Sequence, residues 1–249
     1  MAYLELHGLE VSFDGFKAVN GLHLAVERGE LRCLLGANGA GKSTTLDLIC
    51  GRTQPTGGRI LLDGQDITHA PEYRRARHGV GRKFQVPSVF KELTVRENLE
   101  VAHSRLPSPA RTIRLFPGLR LNRRIAEVLE IVELADELDT RAAFLSHGQT
   151  QWLEIAMLLV QDSALILMDE PTAGMTIQET GKTSRIFQRL RGRHTLIVVE
   201  HDMGFVREIA ETITVLHQGK RLSEGSIRHV ENDPKVREAY LGSGGISHA

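Results

Sequence analysis

Polar and apolar positions alternate through residues 3 to 30, with Leu4 and Leu6, then Val11 and Phe13, then Leu22, Leu24 and Val26 in phase. This is the period-two signature of strands. Asp14-Gly15 and Arg28-Gly29 punctuate the run as turns. Leu31 to Leu35 reads as a short buried strand, and Thr44 to Cys50 has helical spacing that stops at Gly51. Gly57-Gly58, a strand over Arg59 to Leu62 and a turn at Asp63-Gly64 follow. From about Val86 to Val160 the period becomes helical: Val95 to Ala102, Ile125 to Leu138 and Gln149 to Val160 carry apolar residues at three- and four-residue spacing. The chain then returns to short apolar strands, Leu165 to Met168, Thr195 to Val199 and Ile213 to Leu216, with a helix over Gln178 to Leu190 between them. Strands alternating with helices predict a parallel sheet.

Composition narrows the function classes. The 249 residues suffice for one α/β domain with an inserted subdomain. The 31 basic and 31 acidic residues cancel, so nothing draws the chain to nucleic acid in general, and DNA or RNA is not the expected partner. The longest apolar stretch, Ile155 to Met168, is broken by Gln161-Asp162-Ser163, short of the roughly 18 apolar residues of a membrane span. The first residues lack the basic start and apolar core of a secretory signal. Cys33 and Cys50 have no metal-like spacing and read as reduced packing residues. An arginine-rich, acid-free stretch between Val101 and Ala126, broken by Pro107, Pro109, Pro117 and Gly118, reads as a solvated loop; the alternative is a basic surface near anionic headgroups or a membrane partner.

The densest chemistry lies at Gly36-Ala37-Asn38-Gly39-Ala40-Gly41-Lys42-Ser43-Thr44, between the strand ending at Leu35 and the helix that follows. Glycines let successive N–H groups turn toward one anion, and the helix behind adds unsatisfied N–H groups and a positive dipole end. The segment matches G-x-x-x-x-G-K-[ST], in which Lys42 reaches the β- and γ-phosphates and the Ser43 hydroxyl ligates Mg²⁺. Such a cradle needs a second magnesium contact and a base for water. Leu165 to Glu170 offers both, an apolar strand ending in adjacent carboxylates, with Asp169 for the ion and Glu170 for the water.

With these residues in place, the chain resembles the ATP-binding subunits of ABC transporters over nearly its whole length. Leu145-Ser146-His147-Gly148-Gln149 stands where the LSGGQ signature would be. Gln85 resembles the glutamine that contacts Mg²⁺ and senses the transmembrane partner, and His201 the histidine that meets the γ-phosphate. Phe13 resembles the aromatic that stacks on adenine, with Phe16 a nearby rival. The resemblance implies a P-loop NTPase cassette: a RecA-like parallel-sheet core, an N-terminal antiparallel β subdomain and an inserted α-helical subdomain. It divides the chain into 1–85, 86–160 for the helical signature region, 161–225 for the return of the core, and a C-terminal segment 226–249. It also implies ATP and Mg²⁺ as ligands, with two chains sandwiching two ATP molecules so that Ser146, His147, Gly148 and Gln149 act on the partner's nucleotide.

Two positions depart from the family pattern: His147 replaces a glycine, and Thr176 in Ala173-Gly174-Met175-Thr176 replaces an aspartate. Both also belong to a closer likeness, carried by Val11 to Leu22, Gly79 to Ala102, Leu145 to Gln161, Glu170 to Thr176, Val198 to Val206 and Ile213 to Gly219. These stretches resemble the ATP-binding subunits of bacterial urea importers, within the branched-chain amino-acid uptake group. That likeness implies two integral-membrane permease subunits, a second ABC ATPase, a periplasmic solute-binding protein, and a peripheral position on the cytoplasmic face of the bacterial inner membrane. A branched-chain amino-acid importer is the first alternative, the ATPase of a lipopolysaccharide-export complex the second. A soluble ABC ATPase of DNA repair or translation is disfavoured, because the chain lacks a long coiled-coil insertion and a second cassette.

Overall fold

The computed structural model describes residues 2–83, 88–104 and 122–241. They fall into two compact units, one formed by Met1–Arg82, Ala164–Pro171 and Leu190–Ala249, the other by Lys83–Ser163 and Thr172–Arg189.

The first unit holds two sheets. The strands β1 (Ala2–Phe13) and β2 (Phe16–Glu27) form an antiparallel hairpin, with Asp14 and Gly15 at positive φ in its turn. With β4 (Gly57–Leu62) and β5 (Gln65–Asp66) they make a four-stranded antiparallel sheet in the order β2-β1-β4-β5. Alternation along β1 buries Leu4, Leu6, Leu9 and Val11, as a half-covered sheet requires. The second sheet combines β3 (Leu31–Leu35), β6 (Val80–Lys83), β7 (Leu165–Asp169), β8 (Thr195–Val199), β9 (Thr212–His217) and β10 (Lys220–Gly225). Its order is β10-β9-β3-β8-β7-β6. β3 runs parallel to β8 and β9, and β7 parallel to β8, while β10 returns antiparallel to β9. Every residue of β3, β7 and β8 is buried, which is why those strands read as continuous runs without alternation. Cys33 and Cys50 are buried free thiols, and burial pushes the Cys33 pKa far up.

Around this sheet stand α1 (Lys42–Cys50), α2 (Glu72–Arg77), α7 (Met203–Ile209), α8 (Ile227–Asn232) and α9 (Pro234–Leu241). The end of α1 is held by a cation. Arg75, with no exposed surface, donates to the carbonyls of Leu48, Ile49, Thr68 and Ala70. Burial lowers its pKa, and the four acceptors replace the lost water. Arg75→Ala would strand several buried carbonyls, so the chain is expected to lose about 3 kcal/mol in a urea melt; an unchanged midpoint would show that the clamp contributes nothing.

The second unit is helical: α3 (Val95–His103), α4 (Arg123–Val132), α5 (His147–Val160) and α6 (Ile177–Leu190). Val95, Leu99, Val128, Leu129, Leu153 and Ala156 are buried within it. The spacing from Ile125 to Leu138 predicts one helix, and here the structure differs. α4 ends at Val132, Glu133 turns left-handed (φ 54°), and a single 3₁₀ turn covers Ala135–Glu137. The break has a tertiary cause. Lys182 and Arg189 of α6 donate to the carbonyls of Glu133, Glu130 and Ile131, capping the negative end of α4. Leu134, almost fully buried, continues the unit's apolar set beyond the turn. No described helix is long and apolar enough to cross a membrane.

Candidate functional site

The chain leaves β3 at Leu35, passes through the glycine-rich loop and enters α1 at Lys42. Gly36, Gly39 and Gly41 all have positive φ, at 150°, 78° and 99°. Two of them have no room for a side chain. A Cβ on Gly36 would lie 2.3 Å from the Leu216 carbonyl oxygen, and one on Gly41 2.5 Å from that of Ala18. A Cβ on Gly39 would meet nothing within 4 Å, so its glycine serves the backbone angle alone.

The loop is braced from behind. Gly219 N–H donates to the Ala40 carbonyl, and the Thr45 hydroxyl to that of Gly41. Gly41 caps α1 without any side-chain bond to the first N–H groups, so the helix start at Lys42, Ser43 and Thr44 keeps its donors for an anion. Asn38 and Gly39 are exposed, Ala37 half-buried and Ala40 buried.

Lys42 folds back into the loop, its Nζ donating to the carbonyls of Gly36 at 2.8 Å and Ala37 at 3.1 Å. Burial lowers its pKa, and the nearby carboxylates of Glu170 and Asp169 oppose that. Asp169 ends β7 and is 3 % exposed. Burial raises its pKa, while the Ser43 hydroxyl and the Arg82 guanidinium favour the charged form. Arg82 bridges this carboxylate and Asp47 in the middle of α1, which ties the strand end to that helix. No sequence pattern signals that bridge, since an arginine in a short strand matches no motif.

Asp169 Oδ1 is buried without a hydrogen-bond partner among the described residues. An orphaned buried oxygen beside a hydroxyl is the kind of hard donor set that suits Mg²⁺, which takes one or two protein oxygens and completes its shell with water and phosphate. Ser43 and Asp169 therefore fit that ion. Among the described residues no cluster of three or more His, Cys, Asp or Glu could hold a metal without such help.

Glu170 follows at φ 47°, a left-handed angle unusual for a side chain of its size, and its N–H donates to the Val199 carbonyl. That bend carries the carboxylate out of the sheet; its Oε1 lies 3.7 Å from Nδ1 of the exposed His201, which follows β8. The phosphate loop, Asp169, Glu170 and His201 are thus gathered in one unit.

The remaining sequence candidates lie elsewhere. Phe13 and Phe16 face each other in register across the hairpin turn, 49 % and 66 % exposed, so both stay open to a ring ligand. Gln85 and most of the arginine-rich stretch, residues 105–121, lie outside the described residues, as does the 242–249 tail.

Ser146, His147, Gly148 and Gln149 belong to the helical unit, where Ser146 caps α5 in a reciprocal box with Gln149. His147 Nε2 is 2.9 Å from the Ala173 carbonyl and so donates to it, tying the signature to the segment after β7. Thr176 is not idle either. Its hydroxyl accepts the Glu179 N–H and its own N–H donates to Glu179 Oε2, a second box whose T-x-x-E spelling is readable in the sequence.

Residues 19–173 match the family model described as "ABC transporter". The chain is 39% identical over 248 residues to the high-affinity branched-chain amino acid transport ATP-binding protein BraF of Pseudomonas aeruginosa, covering 96% of this chain and 97% of that one. It is 37% identical over 253 residues to LivG of Escherichia coli, a protein of the same description, with the same coverage. Among solved structures, the ADP conformation of MJ1267, an ATP-binding cassette of an ABC transporter, superposes with a TM-score of 0.82 at 30% identity, over 97% of this chain and 99% of that one.

Proposed function

Because the chain belongs to the ABC transporter family, whose cassettes couple ATP hydrolysis to transport, we propose that it energises an importer of the branched-chain amino-acid group from the cytoplasmic face of the membrane. The observation that carries this reading is the convergence of Asp169 and Glu170 on Lys42 of the glycine-rich loop, with His201 beside Glu170. The loop N–H groups and Lys42 hold the β- and γ-phosphates, Phe13 or Phe16 meets the adenine, and Ser43, Asp169 and Gln85 hold Mg²⁺. That ion, when bound, neutralises charge on the transferred phosphoryl group. Glu170 accepts the proton of the attacking water. His201, exposed beside it, reaches the γ-phosphate and orients that oxygen.

The donors of the signature sit in the other unit, and a second cassette supplies them in trans. Ser146 Oγ–H and Gly148 N–H of one chain close on the γ-phosphate held by the other, adding hydrogen bonds where charge grows in the transition state. ATP then favours the closed pair and hydrolysis releases it, a ligand-driven shift between two states that permeases docked near Gln85 follow. A related second ATPase, two permeases and a solute-binding protein complete the assembly.

Both relatives named above carry branched-chain amino acids in their descriptions. They favour that solute over urea, which the sequence likeness placed first. No residue of this site would touch either. The test is uptake in a strain deficient for both solutes, with this chain co-expressed with whatever permeases and binding protein its neighbouring genes encode. Labelled leucine is expected to accumulate, and Glu170→Gln to abolish it. Accumulation of urea instead would return the solute to urea, and accumulation of neither would remove the importer reading.

A further inference from the structure

The signature donors are already occupied within the single chain. Glu179, in the first turn of α6, places Oε1 3.2 Å from the Gly148 N–H and 3.3 Å from the Ser146 hydroxyl, which both donate to it. Its other oxygen, Oε2, accepts the Thr176 N–H at 2.9 Å and the Thr176 hydroxyl at 3.0 Å. These bonds, the Thr176 N–H foremost, hold the carboxyl below its ordinary pKa, so the group that meets the signature is an anion. The approach is close. A Cβ on Gly148 would lie 2.4 Å from Glu179 Oε1, so a larger residue there would push the carboxylate off the donors. On either side, large apolar groups stand in solvent, Phe144 at 77% exposure and Ile177 at 93%, as though a partner surface were to cover them.

We infer that the Glu179 carboxylate is an internal placeholder for the γ-phosphate of the partner cassette, holding Ser146 and Gly148 in place until the incoming nucleotide displaces it. This rests on the sandwich reading above and deepens it. The Gly148 N–H is a single donor and cannot serve a carboxylate and a phosphate at full strength, and two anions at one donor pair repel. Closure therefore exchanges one anion for the other. In the open chain the carboxylate keeps the donors ordered and satisfied, and it sets the ATP concentration at which the pair closes. Thr176 takes part as the anchor of Oε2, which gives the threonine a role in place of the family's aspartate. Glu179 acts through the signature donors that it bonds and is a positioning residue.

The test uses Glu170→Gln, which traps the closed pair, with and without Glu179→Gln. Glutamine keeps the length of the side chain and its capping of α6 but removes the charge. Sedimentation velocity across an ATP-Mg²⁺ titration reads the midpoint of pairing. The placeholder predicts a midpoint at least about 5-fold lower in the double variant, the lower end of ordinary coupling between sites. A midpoint unchanged or raised, with an unchanged melting temperature, means that Glu179 only caps α6 and overturns the inference. If the double variant melts early, Thr176→Ala, which removes the hydroxyl bond to Oε2 but keeps the N–H bond and the charge, must still lower the midpoint, and failure to do so overturns it equally. Should Glu170→Gln itself not pair, the sandwich reading of the isolated chain fails first. The comparison is then read as the KM for ATP of the transporter assembled with its permeases, where Glu179→Gln must lower KM by a similar factor.

Discussion

Glu170→Gln is expected to bind ATP as the native chain does and to release phosphate at least about 100-fold more slowly, the scale on which loss of a catalytic group at the reacting centre is read. The substitution is nearly isosteric, so the left-handed bend at φ 47° and the N–H bond to Val199 persist at the same backbone cost. What goes is a carboxylate half open to solvent with His201 Nδ1 3.7 Å away. An amide cannot take a proton from water. His201 would be left to orient the γ-phosphate with no base behind it. Phosphate release measured beside the binding of a fluorescent ATP analogue separates the two steps, and native turnover in this variant would remove Glu170 from the chemistry. A slow rate with lost nucleotide affinity would instead place Glu170 in binding.

Lys42→Ala is expected to weaken ATP binding by about 100-fold, the worth of a charge-assisted contact of nearly 3 kcal/mol. The lysine is held inside the loop by the Gly36 and Ala37 carbonyls and is depressed in pKa by burial, so its cation is poorly hydrated before a phosphate arrives. Exchange of those carbonyls for phosphate oxygens moves the charge to a better partner at little desolvation cost. Alanine suits a helix start, and among the described residues the hydrogen bonds of the amine go only to two loop carbonyls, so the melting temperature should stay within a degree or two of the native value. Calorimetric titration with ATP-Mg²⁺ checks the affinity, and retained binding would remove the loop from the phosphates. Gly36→Ala makes the contrast, since its Cβ would strike the Leu216 carbonyl and the fold itself should suffer.

Much of this site is spelled locally. The phosphate loop is legible because a glycine pattern, a lysine and a hydroxyl must follow one another within a single turn. β3, β7 and β8 are legible because strands buried on both faces are written as unbroken apolar runs. The adjacent acids Asp169 and Glu170 are legible as a pair. Their different fates are not, because the buried, orphaned oxygen of Asp169 and the bent backbone of Glu170 arise from Arg82 and Val199, which are remote in sequence.

Residue types and short-range spacing alone therefore marked the phosphate loop, the paired acids and the main alternation of strands and helices, since each depends on bonds made within a few residues, whereas the place of the signature came from the family resemblance. Tertiary structure decided where α4 stops, because the cations that cap it come from α6 and override the local period through Val132. It also decided what the signature faces in the single chain. Glu179 lies 31 residues from Gly148 along the sequence, and only the packing of two helix starts brings carboxylate and donors together. Periodicity reports which face of an element is buried; it carries no record of which distant charge that face will meet.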